Sequence, residues 1–66
     1  MKLREILYYI GADEYFYVNK NNASFGPFRK DDMTGLWASF LDETLFRVTL
    51  HHSSPTMAEL MFALLA

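Results

Sequence analysis

Apolar residues recur along this chain with two periods, and each change of period marks an element. Leu3, Ile6, Leu7 and Ile10 fall at helical spacing with Gly11 placed as a C-terminal stop, which predicts a short amphipathic helix over residues 3 to 10. Tyr8, Tyr9 and Ile10 suit a strand equally well, so both readings stay open there. Residues 14 to 19, EYFYVN, are aromatic and β-branched and predict a strand, followed by turn chemistry in NKNN, where Asn22 accepts a left-handed conformation, and by a second strand at 23 to 28. On the first strand a period of two puts Tyr15, Tyr17 and Asn19 on one side and Phe16 and Val18 on the other. Met33, Leu36, Trp37 and Phe40 then return to helical spacing. Asp31 and Asp32 cap or charge-complement the start of that helix, and Gly35 weakens it by about 1 kcal/mol relative to alanine. DET at 42 to 44 reads as a turn, LFRVTL at 45 to 50 as a strand, and HHSSP as punctuation. Pro55 at a first helical position, or Thr56 paired with Glu59 in a capping box, starts a last helix over 55 to 65 that bears Met57, Leu60, Met61 and Leu64.

These elements predict an α+β fold, a small antiparallel sheet packed on a helix. A β-β-α-β core occupies 14 to 50, with an N-terminal helical extension at 1 to 12 and the C-terminal helix after it. Sixty-six residues make one domain, which buries about 60% of the surface its unfolded chain exposes and depends on apolar side chains for stability. The composition supplies them, at 52% hydrophobic and 17% aromatic. With no cysteine, neither disulfides nor a thiolate metal cluster can staple the fold, which fits a cytoplasmic or nuclear protein. The net charge of -2 without a run of Lys or Arg argues against nucleic acid as a partner. No stretch approaches the roughly 18 apolar residues of a membrane span.

Between the second strand and the predicted helix stands FGPF, residues 25 to 28. Pro27 fixes φ and removes a donor, so the strand must end or lie at a sheet edge, while Gly26 permits a conformation closed to other residues. The pair turns the chain and delivers Phe28 to the strand-helix junction. The stretch YFYVNKNNASFGPFRKDDMTGLW resembles the GYF domain, a small adaptor module that binds proline-rich peptides, often Pro-Pro-Gly followed by an apolar residue. Tyr17, Gly26, Pro27, Phe28 and Met33 match its signature in identity and spacing, and Tyr15 stands where the family usually has Trp. Leu36 occupies the expected Trp position with Trp37 one residue late, and SFLD at 39 to 42 replaces the Gly-Tyr-Phe tripeptide, leaving Phe40 and Leu41 for that wall.

The resemblance implies a protein-interaction module for a proline-rich segment, in mRNA regulation, translational control or splicing. Its peptide-binding residues would be Tyr15, Tyr17, Phe28, Met33, Trp37, Phe40 and Leu41. A polyproline II ligand is already extended and lacks internal hydrogen bonds, so flat rings receive it at small entropic cost. Tyr hydroxyls and the Trp indole N–H can bond its free carbonyls. The expected affinity is about -5 to -7 kcal/mol. A domain this small must also spend aromatics on its core, so Met33 and Leu36 read as core by position, Phe28 and Trp37 as either, and Tyr15 and Tyr17 as groove. A second function remains open. In GYF domains the positions of Phe16, Val18 and Phe25 usually face outward and are polar. Their apolar character here predicts a greasy second face covered by the N-terminal stripe, or used with it for homodimerisation or scaffolding.

No cofactor, metal or catalytic residue is expected. His51 and His52 are adjacent and point to opposite faces of a strand, which reads as a solvated strand end. The acidic pairs at 13 and 14, 31 and 32, and 42 and 43 sit at turns and a helix start, where solvation and capping account for them. Ser53 and Ser54 lack an orienting acid. The chain is not expected to be an enzyme.

Overall fold

Two asparagines make the first turn. In the computed structural model, Asn21 and Asn22 both take positive φ, 54° and 65°, the twist that a two-residue hairpin loop requires. Strand β1 (Phe16–Lys20) therefore folds straight back onto β2 (Ala23–Phe28). The structure describes residues 1–65, but not the side chains of His51, His52, Ser53 and Met57. Helix α1 (Leu3–Ile6) precedes the hairpin and continues as a 3-10 turn over Leu7–Tyr9. Its start is fixed by Glu5, whose Oε1 accepts the Lys2 backbone N–H at 3.0 Å. After β2 come a 3-10 turn, Lys30–Asp32, and a 3-10 helix, Gly35–Asp42. Asp32 caps the former by accepting the Arg29 N–H at 2.8 Å. A long hairpin closes the fold, with β3 (Leu45–Ser54) and β4 (Met57–Leu64) joined by a turn at Pro55 and Thr56.

The four strands form one mixed sheet in the order β2-β1-β4-β3. Both hairpins are antiparallel, and β4 inserts beside β1 in parallel register, Phe16 with Leu60 and Val18 with Phe62. Direct partners share a face. Phe16, Val18, Phe25, Leu60, Phe62, Val48 and Leu50 thus lie on one side of the sheet, the side that the helical segments partly cover. Phe16 and Val18 are 0% exposed and pack in one buried cluster with Leu3, Leu7, Phe28, Met33, Phe40, Phe62 and Leu64. Burying each such side chain stabilises the fold by about 1.5–3 kcal/mol. The chain start is tied to the start of β3, since the Leu45 N–H donates to the Met1 carbonyl at 2.7 Å and the Leu3 N–H to that of Glu43 at 3.1 Å.

The α+β class holds, with a short N-terminal helix and a four-stranded mixed sheet. Three expectations are corrected. The sheet is not wholly antiparallel, because the last element is a central strand that runs parallel to β1. That element, residues 57 to 64, is β4 and not a C-terminal helix. Ala, Leu, Met and Glu favour a helix locally, but in a central strand both faces are apolar and the helical and alternating patterns coincide. The segment after β2 is a 3-10 helix starting at Gly35, and Met33 lies outside it. The reason is Gly35 itself, whose φ of 57° cannot continue a right-handed helix. With three residues per turn, Trp37 and Phe40 stack inward at 5.7 Å between ring centroids. Leu36, read as core, is turned out and 88% exposed.

Candidate functional site

The seven residues expected to bind peptide do not share one surface. Phe28, Met33 and Phe40 are buried members of the core. Trp37 is half-buried and closes an aromatic cluster with Phe25 at 5.6 Å, Phe28 at 5.1 Å and Phe40. Their rings are spent on one another. Leu41 is half-buried elsewhere, beside a small depression of about 220 Å3 with Leu7, Tyr8 and Lys30. Tyr17 is half-buried in β1 with Met61 as its neighbour in β4, on the face opposite Phe16. Its ring also lies beside Gly26, where a Cβ would come within 3.1 Å of Tyr17 Cδ1.

Tyr15 is the exception. It sits just before β1, where the chain enters the sheet, and is 50% exposed. Because β1 starts opposite Leu60, the first residues of β4 and the facing part of β3 extend past it, which leaves a depression of about 660 Å3 at that end. Tyr15, Pro27, Leu50 and Leu60 form its apolar lining, and Glu14 and Glu59 its charged rim. Arg29 stacks on the Tyr15 ring, its guanidinium carbon 5.6 Å from the centroid, a contact that steadies the ring by cation-π attraction. The Gly-Pro pair contributes here as well. The 133° φ of Gly26 swings the chain so that Pro27 is exposed on the wall of the depression.

The two residues that complete the lining, Leu50 and Leu60, were not among the expected site residues. No local signal marks them. They reach Tyr15 through the parallel pairing of β1 with β4 and the β3–β4 hairpin, a relation between distant parts of the sequence. The second apolar face expected around Phe16, Val18 and Phe25 is interior in this chain, with Leu3 and Leu7 in the same cluster and Ile6 and Ile10 packed against it.

Among the described residues, two ion pairs serve the scaffold. Arg4 on α1 bonds Asp42 at 2.9 Å. Lys20 at the end of β1 pairs with Glu43 before β3. The backbone of His51 and His52 lies within β3, and their side chains, like that of Ser53, are outside the described residues. Among the described residues no group of three or more His, Cys, Asp or Glu could hold a metal ion. No helix of the described residues is long and apolar enough to cross a membrane. Comparison with known proteins returns nothing: no family model, no curated protein and no solved structure matches this chain.

Proposed function

We propose that this chain is a protein-interaction module that takes an extended, proline-containing segment of a partner in the depression around Tyr15. The ligand class is the one implied by the resemblance to GYF domains, and the residues that meet it are different. One observation carries the reading: a half-exposed tyrosine ring forms the wall of an open apolar depression together with Pro27, Leu50 and Leu60. Flat rings receive polyproline II segments because such segments lose little conformational entropy on docking. The Tyr15 hydroxyl can donate to a ligand carbonyl. A single exposed ring and a shallow site support weak binding, about -5 kcal/mol, the strength of modules that act through multivalency.

The test is an amide-shift titration with a Pro-Pro-Gly-containing peptide. Shifts should centre on Tyr15, Leu50 and Leu60, and Tyr15→Ala should weaken binding about tenfold or more without lowering the unfolding midpoint. Silence at these residues at millimolar peptide, or shifts confined to Trp37 and its neighbours, would refute the reading.

A further inference from the structure

We propose that this chain binds a small carboxylate with a compact apolar body, of the size of hexanoate, in the depression where its helical segments meet. Arg4 comes from α1, Leu7 and Tyr8 from the 3-10 turn that continues it, Lys30 from the turn after β2, and Leu41 from the 3-10 helix. The site shares no lining residue with the Tyr15 depression and stands independently of the peptide reading. Lys30 carries the argument. Of the six basic residues, Lys20 and Lys30 are half-buried and the others are exposed. Lys20 pairs with Glu43. Among the described residues, by contrast, no ion pair or side-chain hydrogen bond engages the Lys30 ammonium. Its chain neighbours Asp31 and Asp32 are exposed, and Asp32 is turned to the Arg29 N–H.

Burial penalises a charge until an opposite charge meets it, so a half-buried ammonium without a partner favours an anionic guest. The depression has no carboxylate in its lining to answer Lys30, and it adds a second cation, Arg4. The Arg4 Nε and Nη2 both donate to Asp42 Oδ1, which leaves Nη1 uncommitted for an oxygen of the guest. The rest of the lining is apolar: buried Leu7, half-buried Leu41 and the Tyr8 ring, which is 81% exposed. A cationic rim over an apolar lining is complementary to a carboxylate on a hydrocarbon body. Size narrows the choice. At roughly 30 Å3 for each water-sized group, a depression of about 220 Å3 holds about seven such groups, close to the volume of hexanoate or phenylacetate. That lies below the roughly 300–1,000 Å3 of sites for larger ligands, so the occupant is one small acid and not an extended segment. So small a body in a shallow site binds with a Kd of about 1–10 mM.

Amide-shift titrations with hexanoate, hexanamide and hexylammonium test this, since the three share a hydrocarbon chain and differ in charge. Hexanoate should give saturable shifts at Leu7, Tyr8, Lys30 and Leu41 and leave Leu50 and Leu60 unmoved. Hexanamide should bind at least about fivefold more weakly, and hexylammonium should not saturate. Lys30→Gln should weaken hexanoate by a similar factor and Lys30→Arg should retain it, with the amide dispersion of each variant reporting its fold in the same spectra. The comparison of ligands on the wild-type chain keeps the test decisive even if a variant fails to fold. Equal binding of hexanoate and hexanamide, hexanoate binding indifferent to Lys30→Gln, or no saturable shift at these residues up to about 50 mM hexanoate would overturn the proposal. So would an acetylated and amidated Glu-Leu peptide that moves these amides where hexanoate does not, because the occupant would then be a segment of a partner protein.

Discussion

Gly26 carries a constraint that no other residue type meets. Its φ of 133° lies in a region closed to L side chains. A Cβ there would stand 3.1 Å from the Phe16 carbonyl oxygen and 3.3 Å from the Phe28 nitrogen, both backbone atoms that cannot step aside. Gly26→Ala should therefore cost at least about 2 kcal/mol, read as a lower urea midpoint. A loss below about 0.5 kcal/mol would show that the turn is not strained by a side chain. Gly35 offers a contrast, since its φ is 57° but no atom lies within 4 Å of an added Cβ. At this scale part of the sequence was readable: the need for glycine at 26 and the left-handed Asn22 follow from local chemistry, whereas Asp32, expected at the start of the helix of Met33 and Trp37, instead caps the 3-10 turn Lys30–Asp32. Leu36 was not readable, because a spacing of three and four residues fits both a helix of 3.6 residues per turn and one of three, and the two disagree about which side Leu36 takes.

Between elements, one polar contact that reaches across the molecule titrates in a predictable way. Arg4 from α1 bonds Asp42 at the end of the 3-10 helix at 2.9 Å. The hydrogen bond from Arg4, and then its charge, hold the Asp42 carboxyl below the ordinary value of 3.8. A carboxyl whose folded pKa is depressed contributes stability that is present above its unfolded pKa and is lost as pH falls through the folded one. The contribution of the pair should thus be full at neutral pH and vanish on acidification below about 3.8. Carboxyl-detected titration should find the Asp42 midpoint below 3.8 in the wild type and raised in Arg4→Ala, with an unchanged midpoint as the contrary result. The pair itself had no sequence signal, since its members lie at opposite ends of the chain. The same limit explains β4. Its residues favour a helix in isolation, and its strand character comes from the two neighbours that bracket it in the sheet, a tertiary override of local propensity.

At the scale of the whole molecule, the N-terminal segment is part of the core and not an appendage. Leu3 and Leu7 are buried with Phe16 and Val18, and the backbone of residues 1 to 3 is hydrogen-bonded to that of Glu43 and Leu45. A chain of this length has a total stability of about 3–10 kcal/mol. Truncating a buried leucine costs about 2–5 kcal/mol, and removing residues 1 to 12 would take away two of them together with their hydrogen bonds. The loss is comparable to the whole stability, so the chain from Asp13 onward should be unfolded at 25 °C, with collapsed amide dispersion and no cooperative urea transition reported by Trp37 fluorescence. A truncated chain that unfolds cooperatively near the wild-type midpoint would mean that β1, β4 and the aromatic cluster suffice on their own. The placement of these leucines also bears on function. Because Leu3 and Leu7 are packed inside the chain, the proposed peptide site draws on neither of them and rests on Tyr15, Pro27, Leu50 and Leu60.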